Sequence, residues 1–237
     1  MERSQSKSLA ENLTLTVNYL KNIPKNSMIQ INYTSLRKVF DRYRMNFYST
    51  SDYIVDEDNK KLLEALILLF SQSPKFINST VFKNNPGLDK GIYSFGNVGT
   101  GKTDFFEIMK KVAFDYIQIH KYRKLDFHKI HAGHFVIQYA QHEKTNAGDC
   151  QFFYEKHLNG KLLIDELGRE PQHYGREIVC QLILDRYRRW KQNKDIVTYI
   201  TSNFNLSEIE QRYGDHLPDR IIEMCNVIHW PGESRRK

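Results

Sequence analysis

Apolar residues recur along the chain with two different patterns. In the first 75 residues they recur every three or four positions, which predicts helices over Leu9–Leu20, Leu36–Phe47 and Lys61–Phe70. From Lys90 onward, short apolar runs typical of buried strands alternate with helix-like segments. The chain therefore has a helical first part and a second part in which strands and helices alternate.

A cluster of turn-forming residues separates the two patterns. Asn84-Asn85-Pro86-Gly87 breaks the chain just before the first predicted strand. We therefore divide the chain into a small helical region over residues 1–80 and a second domain over residues 81–237. A length of 237 residues allows one full α/β core and a small appendage, but not two large domains.

The second domain has the alternation of an α/β protein. The predicted strands are residues 91–95, 127–131, 162–164 and 196–200. Apolar stripes mark the helices between them, as in Phe105, Met109, Val112 and Tyr116. This order predicts a largely parallel sheet with helices on both faces, and it places a ligand at the carboxyl ends of the strands.

A glycine-rich segment directly follows the first predicted strand. It reads Gly96-Asn97-Val98-Gly99-Thr100-Gly101-Lys102-Thr103 and opens a predicted helix. In such a loop, backbone N–H groups surround phosphate oxygens, and the helix adds the positive end of its dipole. Lys102 would reach the β and γ phosphates, and the hydroxyl of Thr103 would bind Mg²⁺. All eight residues are predicted to bind ATP with its Mg²⁺.

Polar side chains follow the next strands at the same edge of the predicted sheet. Asp165 and Glu166 come directly after the apolar run 162–164, which predicts Asp165 as a nucleotide-binding Mg²⁺ ligand and Glu166 as the group that activates water. Asn203 ends the following strand, where its amide could orient that water or touch the γ phosphate. Ser207 and Glu210 have the spacing of a capping box, which predicts a helix from Ser207.

The charge of the chain favours an anionic partner such as DNA. The formal net charge is +7, and cations placed against phosphates release counterions. Candidate DNA contacts are Arg186, Arg188, Arg189 and Lys191 with Tyr187 and Trp190. For this group, a solvated helix face is an equal alternative to stacking on single-stranded DNA.

Cysteine and histidine spacing gives little support for a metal centre. Cys150, Cys180 and Cys225 are too far apart in sequence for a zinc motif or a disulfide framework, and they are predicted to be buried thiols. His128, His131 and His134 span a predicted strand and turn, so their side chains need not converge.

The sequence also lacks the marks of a membrane or secreted protein. No apolar run approaches the roughly 20 residues that cross a bilayer, and the first five residues lack the apolar core of a secretory signal. We therefore expect a cytoplasmic protein that does not contact a membrane.

These motifs together resemble those of one group of ATPases. The resemblance runs over residues 88 to 236 and rests on the glycine loop, Ile164-Asp165-Glu166-Leu167-Gly168, Asp185-Arg186-Tyr187, Thr201-Ser202-Asn203, Tyr213-Gly214, Asp219-Arg220-Ile221 and Trp230-Pro231-Gly232-Glu233-Ser234-Arg235. The sequence is similar to AAA+ ATPases of the bacterial helicase-loader type (DnaC-like) and to helper ATPases of insertion-sequence transposition (IstB-like).

The resemblance implies a fold and two more catalytic residues. The fold would be the AAA+ P-loop sheet flanked by helices, without a helical lid domain at the carboxyl terminus. Asn203 would sense the γ phosphate, and Arg220 would be an arginine finger offered to a neighbouring subunit. Ser234 and Arg235 could contact nucleotide from the end of the sheet or form an exposed tail.

The function that the resemblance implies is an ATP hydrolase that acts on DNA. It would assemble as a homo-oligomer on ATP, bind DNA, preferably single-stranded, and deliver a replicative helicase held by residues 1–80. The resemblance alone implies four further DNA contacts, in the stretch before Asp165 where such ATPases line an inner channel: Arg123, Lys124, Lys129 and Lys144. A transposition helper that selects target DNA and contacts a transposase is the alternative within the class. A small-molecule kinase and a nucleotide-gated binding module without useful hydrolysis are alternatives of other classes. Glu166 and Asn203 count against the kinase.

Overall fold

The protein is described from a computed structural model that covers residues 31–45, 47, 52–120 and 123–235. The predicted helix Leu9–Leu20 lies outside these described residues. The chain divides into two compact units. The described residues up to Phe76 and the segment Thr103–Asp126 form the first, and the second runs from Ile77 to Lys102 and from Phe127 onward.

The first unit consists of helices that meet through apolar side chains. Its helices are α1 (Tyr33–Arg44), α2 (Lys60–Phe70) and, from Thr103 on, α3 (Lys102–His120), and a 3₁₀ turn follows α2 at Pro74–Asn78. The ring of Phe105 lies 5.5 Å from that of Phe40 and 5.8 Å from that of Phe70. These contacts, together with the buried stripe of α3, form the apolar core of this unit.

The start of α1 is set by a cap rather than by its apolar residues. The side chain of Asn32 accepts a hydrogen bond from the backbone N–H of Ser35 at 2.8 Å, which satisfies one of the free donors of the first turn. The helix therefore begins three residues before the predicted Leu36 and ends at Arg44 rather than at Phe47.

The second unit contains a parallel sheet of five strands. The strands are β1 (Gly91–Phe95), β2 (His128–His131), β3 (Leu162–Leu167), β4 (Thr198–Ser202) and β5 (Cys225–His229). Their order in the sheet is β2-β3-β4-β1-β5, and all of the pairings are parallel. The helices of this unit are α4 (Ala132–Thr145), α5 (Ala147–Glu155), α6 (Ile178–Gln192), α7 (Leu206–Tyr213) and α8 (His216–Met224). The predicted parallel sheet flanked by helices is confirmed.

Two elements of this unit were not predicted. Strand β5 follows α8 without an intervening turn and pairs with β1 along its whole length. The short helix α5 begins at Ala147, where the side chain of Asn146 accepts a hydrogen bond from Asp149 N at 2.8 Å. Neither element has a long apolar pattern of its own in the sequence. Pairing with β1 defines β5, and the Asn146 cap defines the start of α5.

The predicted start of α7 is wrong by one residue, and the predicted cap is wrong by two. The side chain of Asn205 accepts from Glu208 N, and the carboxylate of Glu208 accepts from Asn205 N, so the capping box consists of these two residues. Asn205 takes the capping position, and Ser207 therefore lies within the first turn of the helix.

Two residues of the basic face that the sequence suggested for α6 are buried, whereas Arg188 and Lys191 are exposed. Arg186 is fully buried and donates hydrogen bonds to the carbonyl groups of His157, Asn159, Gly160 and Val197 and to Oγ1 of Thr198. Trp190 is also buried, with its indole N–H on the carbonyl oxygen of Asp89 at 2.9 Å. Both interpretations of this segment, as a DNA contact or as a solvated face, are therefore wrong for these two residues.

The remaining sequence predictions concern cysteines and membranes. The three cysteines are buried and free, as predicted. Within the described ranges, no helix combines the length and the apolar character that crossing a membrane requires.

Candidate nucleotide site

The glycine loop joins the end of β1 to the start of α3. Gly96, Gly99 and Gly101 have φ angles of 146°, 81° and 94°, a region that side chains of L-residues rarely adopt. Glycine at these three positions therefore allows the backbone conformation of the loop. α3 begins directly at Lys102, so the loop leads into a helix N-terminus as the sequence predicted.

Lys102 lies against the loop and is 7% exposed. Its Nζ donates to the carbonyl oxygens of Gly96 and Asn97, each at 2.7 Å, and lies 3.3 Å from Oδ1 of Asn203. Thr100 is fully buried, and its hydroxyl donates to the carbonyl oxygen of Asn97 at 3.0 Å. The ammonium group is thus held among neutral oxygen acceptors, which phosphate oxygens could replace with stronger, charged ones.

The acidic pair lies in a bulge of β3. The pairing of β3 with β4 shifts register between Ile164 and Leu167, and Glu166 has a φ of 60°. A residue other than glycine in this region costs of the order of 1–3 kcal/mol, and such strain is concentrated at functional sites. A bulge also re-aims side chains at the edge of a sheet. The sequence placed Asp165 and Glu166 after the strand, whereas β3 continues to Leu167.

Side chains of β4 support this bulge. The hydroxyl of Thr201 donates to Oδ1 of Asp165 at 2.6 Å and accepts from the backbone N–H of Glu166 at 3.0 Å. The hydroxyl of Ser202 donates to the carbonyl oxygen of Leu167 at 2.7 Å. Strand β4 therefore fixes the backbone and one carboxylate oxygen of the acidic pair.

Strand β2 contributes a cation and an imidazole to the same edge. Nζ of Lys129 lies 3.0 Å from Oδ2 of Asp165, whose side chain is only 5% exposed. A buried carboxylate needs such a partner, because an unpaired charge away from water is costly. Nε2 of His131 lies 3.2 Å from Oε2 of Glu166. Lys129 and His131 thus lie against the acidic pair. The sequence suggested Lys129 as a DNA contact and lent little support to His131 as a metal ligand.

The residues present fit a magnesium nucleotide. Mg²⁺ is usually held by one or two protein oxygen ligands together with phosphate oxygens, and Asp165 offers a carboxylate at the edge where the loop begins. Thr103 is the second residue of α3, and its role as a Mg²⁺ ligand stays a prediction. Across the described ranges, no group of three or more His, Cys, Asp and Glu residues could hold a metal ion by itself.

Arg220 lies apart from these residues. It is on α8, where Nη1 is 2.7 Å from Oε1 of Glu223 and the guanidinium group lies 5.0 Å from the ring centre of Tyr187. The hydroxyl of Tyr187 donates to the other carboxylate oxygen of Glu223 at 2.7 Å. The side chain is 38% exposed, and its role as an arginine finger stays a prediction.

A cavity of about 680 Å³ lies elsewhere in the second unit. Its lining includes Tyr139, Cys150, Tyr154, Cys180 and Arg176, and it contains none of the residues of the glycine loop. We place the nucleotide site at the loop and not at this cavity, because phosphates need the backbone donors and the cation that the loop supplies.

Three supporting residues were not assigned to this site from the sequence. Thr201, Lys129 and His131 reach the acidic pair only because β2, β3 and β4 are neighbours in the sheet. Thr201 lies two positions before Asn203, which the sequence did single out. The order and register of the strands bring these residues together, and the sequence predicted neither.

The parallel sheet, the glycine loop after β1 and the acidic pair on β3 define a P-loop type of fold. Comparison with protein-family models and with curated proteins gave no match. Solved structures of other proteins are similar in fold to this chain. The DnaC helicase loader has 19% sequence identity and a TM-score of 0.54, and the match covers 81% of this chain and 98% of that chain.

Two other similar structures come from named bacteria. A primosome component from Streptococcus pyogenes serotype M3 has 15% identity and a TM-score of 0.52, and the match covers 76% of this chain and 84% of that chain. Domain III of the replication initiation protein DnaA from Thermotoga maritima has 19% identity and a TM-score of 0.51, with 76% and 65% covered. The predicted fold, a parallel P-loop sheet flanked by helices, is therefore confirmed, whereas the likeness to transposition helpers is not confirmed by these structures.

Proposed function

We propose that this chain is an ATP hydrolase that loads a replicative helicase onto DNA. The observation that carries the hydrolase part is the position of Lys102, whose Nζ lies on the loop carbonyls and 3.3 Å from Asn203. Strand β4, which ends next to Asn203, also supports Asp165 and Glu166 through Thr201. One edge of the sheet therefore holds the Lys102 ammonium group, a carboxylate pair and an amide.

The proposed roles follow from the chemistry of these groups. The loop and Lys102 would bind the phosphates, and Thr103 and Asp165 would hold Mg²⁺, which neutralises phosphate charge when bound. Glu166 would accept the proton of the attacking water, and Asn203 would orient that water against the γ phosphate. His131 would hold the carboxylate of Glu166, because it already contacts Oε2.

The hydrolase part is tested by separating binding from hydrolysis. We expect Lys102→Ala to lose nucleotide binding, because it removes the phosphate-binding charge. Glu166→Gln should keep binding and lose most of the hydrolysis rate, because the amide cannot take a proton. Binding is measured with a fluorescent ADP analogue and hydrolysis by phosphate release, with Arg188→Ala as an exposed control. Equal loss of nucleotide binding in both variants would contradict these roles.

The loader part rests on the similar structures and on charge. The DnaC structure is that of a helicase loader, and the other two belong to a primosome component and to a replication initiation protein. The net charge of +7 suits a DNA partner. ATP would assemble several copies on DNA, and hydrolysis would release them. The partner would bind through residues 1–80, and the protein would act in the cytoplasm.

DNA binding and partner choice have separate tests. Binding to single-stranded DNA should require ATP and should weaken steeply between about 50 and 200 mM salt, because the contacts are to phosphates. The full chain carrying Glu166→Gln, loaded with ATP, should co-purify with the replicative helicase of the same cell. Recovery of a transposase instead would favour the transposition helper, and DNA binding that ignores both salt and ATP would contradict the proposal.

A further inference from the structure

The segment Trp230–Arg235, which we call the strap, follows β5 and runs along the glycine loop. The backbone N–H of Trp230 donates to the carbonyl oxygen of Phe95 at 2.6 Å, so pairing with β1 continues to the residue before the loop. The side chain of Trp230 is fully buried. The strap is therefore anchored at the base of the loop.

Two glycines of the loop are in close contact with the strap. A Cβ atom placed on Gly96 would lie 2.3 Å from the carbonyl oxygen of Trp230, and one placed on Gly99 would lie 2.2 Å from Oγ of Ser234. Real Cβ atoms do not approach other atoms this closely, so strap atoms occupy the space of the missing side chains.

Arg235 holds two consecutive carbonyl groups of the loop. Its backbone N–H donates to the carbonyl oxygen of Gly99, and its Nη1 donates to that of Thr100, both at 2.8 Å. In a trans peptide, the C=O and the following N–H point in opposite directions. The N–H groups of Thr100 and Gly101 therefore point away from Arg235, as donors to a phosphate would have to do.

We infer that the strap is part of the nucleotide site and that Arg235 is a positioning residue for the phosphate loop. Arg235 acts through the loop carbonyls, and the ligand is the phosphate chain of a nucleoside di- or triphosphate. Because the strap touches the loop at Gly96, Gly99 and Thr100, we expect phosphate binding to change the surroundings of Trp230 as well. The inference rests on the proposed function, in which the loop binds nucleotide.

The first test compares substitutions of Arg235 in the full-length protein. Arg235→Ala keeps the backbone hydrogen bond to Gly99 and loses the one to Thr100, so we expect about tenfold weaker binding of fluorescent ADP, the effect of one charge-assisted hydrogen bond. Arg235→Lys retains a cationic donor and should stay within about threefold of the wild type. Arg188→Ala, which removes an exposed arginine paired with Asp185, should bind like the wild type.

Kinetics separate positioning from catalysis. We expect Arg235→Ala to raise the KM for ATP by a similar factor and to leave kcat at saturating ATP within about twofold of the wild type. The unfolding midpoint without nucleotide should match that of Arg188→Ala. ADP affinity of Arg235→Ala equal to that of the wild type, or loss confined to kcat, would overturn the inference.

The second test keeps Arg235 and observes the strap directly. The protein has two tryptophans, so Trp190→Phe leaves Trp230 as the only source of tryptophan emission. Saturating ADP should shift or quench this emission, and Lys102→Ala should abolish the change. Emission that stays constant while ADP binds would overturn the coupling of the strap to the loop. Absence of nucleotide binding by the wild type would instead overturn the proposed function, and the inference with it.

Discussion

At the scale of single residues, Arg186 is a buried cation that joins three segments of the second unit. From α6 it donates to the turn at His157–Gly160 and to Val197 and Thr198 at the start of β4. Burial lowers the pKa of Arg186 to about 10, which leaves the guanidinium group charged at neutral pH. Hydrogen bonds to backbone carbonyl groups therefore replace the hydration that the guanidinium group loses on burial.

We expect Arg186→Met to destabilise the protein by at least about 1–3 kcal/mol, the cost of leaving a buried hydrogen-bonding group without its partner. Methionine fills a similar volume but leaves the carbonyl groups without their donor. Arg188→Met is the matched control, because Arg188 is 66% exposed and should change stability by less than about 0.5 kcal/mol. Urea unfolding measures both. A similar small effect of the two substitutions would contradict the structural role of Arg186.

His157 is a second buried polar residue close to this network. Its ring lies 5.0 Å from that of Phe153 and 5.4 Å from that of His128, and its Nδ1 is 2.8 Å from the carbonyl oxygen of Phe153. Burial lowers the pKa of His157 to about 4, and the positive charges of Lys156 and Arg186 act in the same direction. The folded protein therefore keeps this imidazole neutral.

This lowered pKa predicts a loss of stability in acid. As the pH falls below about 6.5, the unfolded chain takes up a proton on His157, whereas the folded protein resists protonation until about pH 4. The contribution is complete above pH 6.5 and is lost between these two values. We expect His157→Phe, which cannot titrate, to show a smaller difference in unfolding free energy between pH 7.5 and pH 5. An unchanged difference would assign the acid sensitivity to other groups.

The sequence indicated the glycine loop and the acidic pair, but it did not indicate the residues that support them. The glycine loop was found because its chemistry requires fixed residue types at fixed spacing within one short segment. Arg186 was misread because a cation among Arg188 and Arg189 suggests a solvated face. Its position three residues after Ile183 and four before Trp190 places it on the buried stripe of α6. Sequence alone does not show whether other segments provide hydrogen-bond acceptors for a cation on such a buried stripe.

At the scale of elements, strands β2 and β4 together position the acidic pair of β3. Thr201 on β4 holds the bulge, and Lys129 on β2 neutralises Asp165. These contacts depend on strand register, which the local pattern of apolar residues does not determine. For the same reason the sequence predicted β3 as a short apolar run and did not predict β5.

We expect Thr201→Val to lower ATP hydrolysis more than nucleotide binding. Valine has nearly the same shape but cannot donate to Asp165 or accept from Glu166 N, so the bulge loses its support while the glycine loop keeps its own contacts. A loss of stability of about 1–3 kcal/mol should accompany the change, because a buried N–H is left unpaired. Thr201→Ser should restore most of the rate. Equal rates for Thr201→Val and the wild type would show that the bulge needs no hydroxyl.

At the scale of the whole molecule, ATP-dependent assembly would place the site of one copy against a surface of the next. Arg220 is our candidate for the cation on that surface. In the single chain it pairs with Glu223, an exposed contact worth little energy, so it could leave this carboxylate for a phosphate at small cost. Glu223 would keep Tyr187 and Lys191 as partners.

We predict that Arg220 acts on the nucleotide of a neighbouring subunit. Arginine fingers stabilise charge that develops in the transition state and raise rates by about 10³ to 10⁵ where they have been measured. Arg220→Ala should therefore abolish hydrolysis while nucleotide binding is kept, and Lys102→Ala should be inactive with an intact finger. Mixing the two creates interfaces with the intact site of the first and the intact arginine of the second, so part of the ATPase rate should return. The double variant Lys102→Ala/Arg220→Ala, mixed with Arg220→Ala, is the control and should restore nothing. If the first mixture stays inactive at every ratio while co-purification shows that the two variants assemble together, Arg220 is only the surface partner of Glu223.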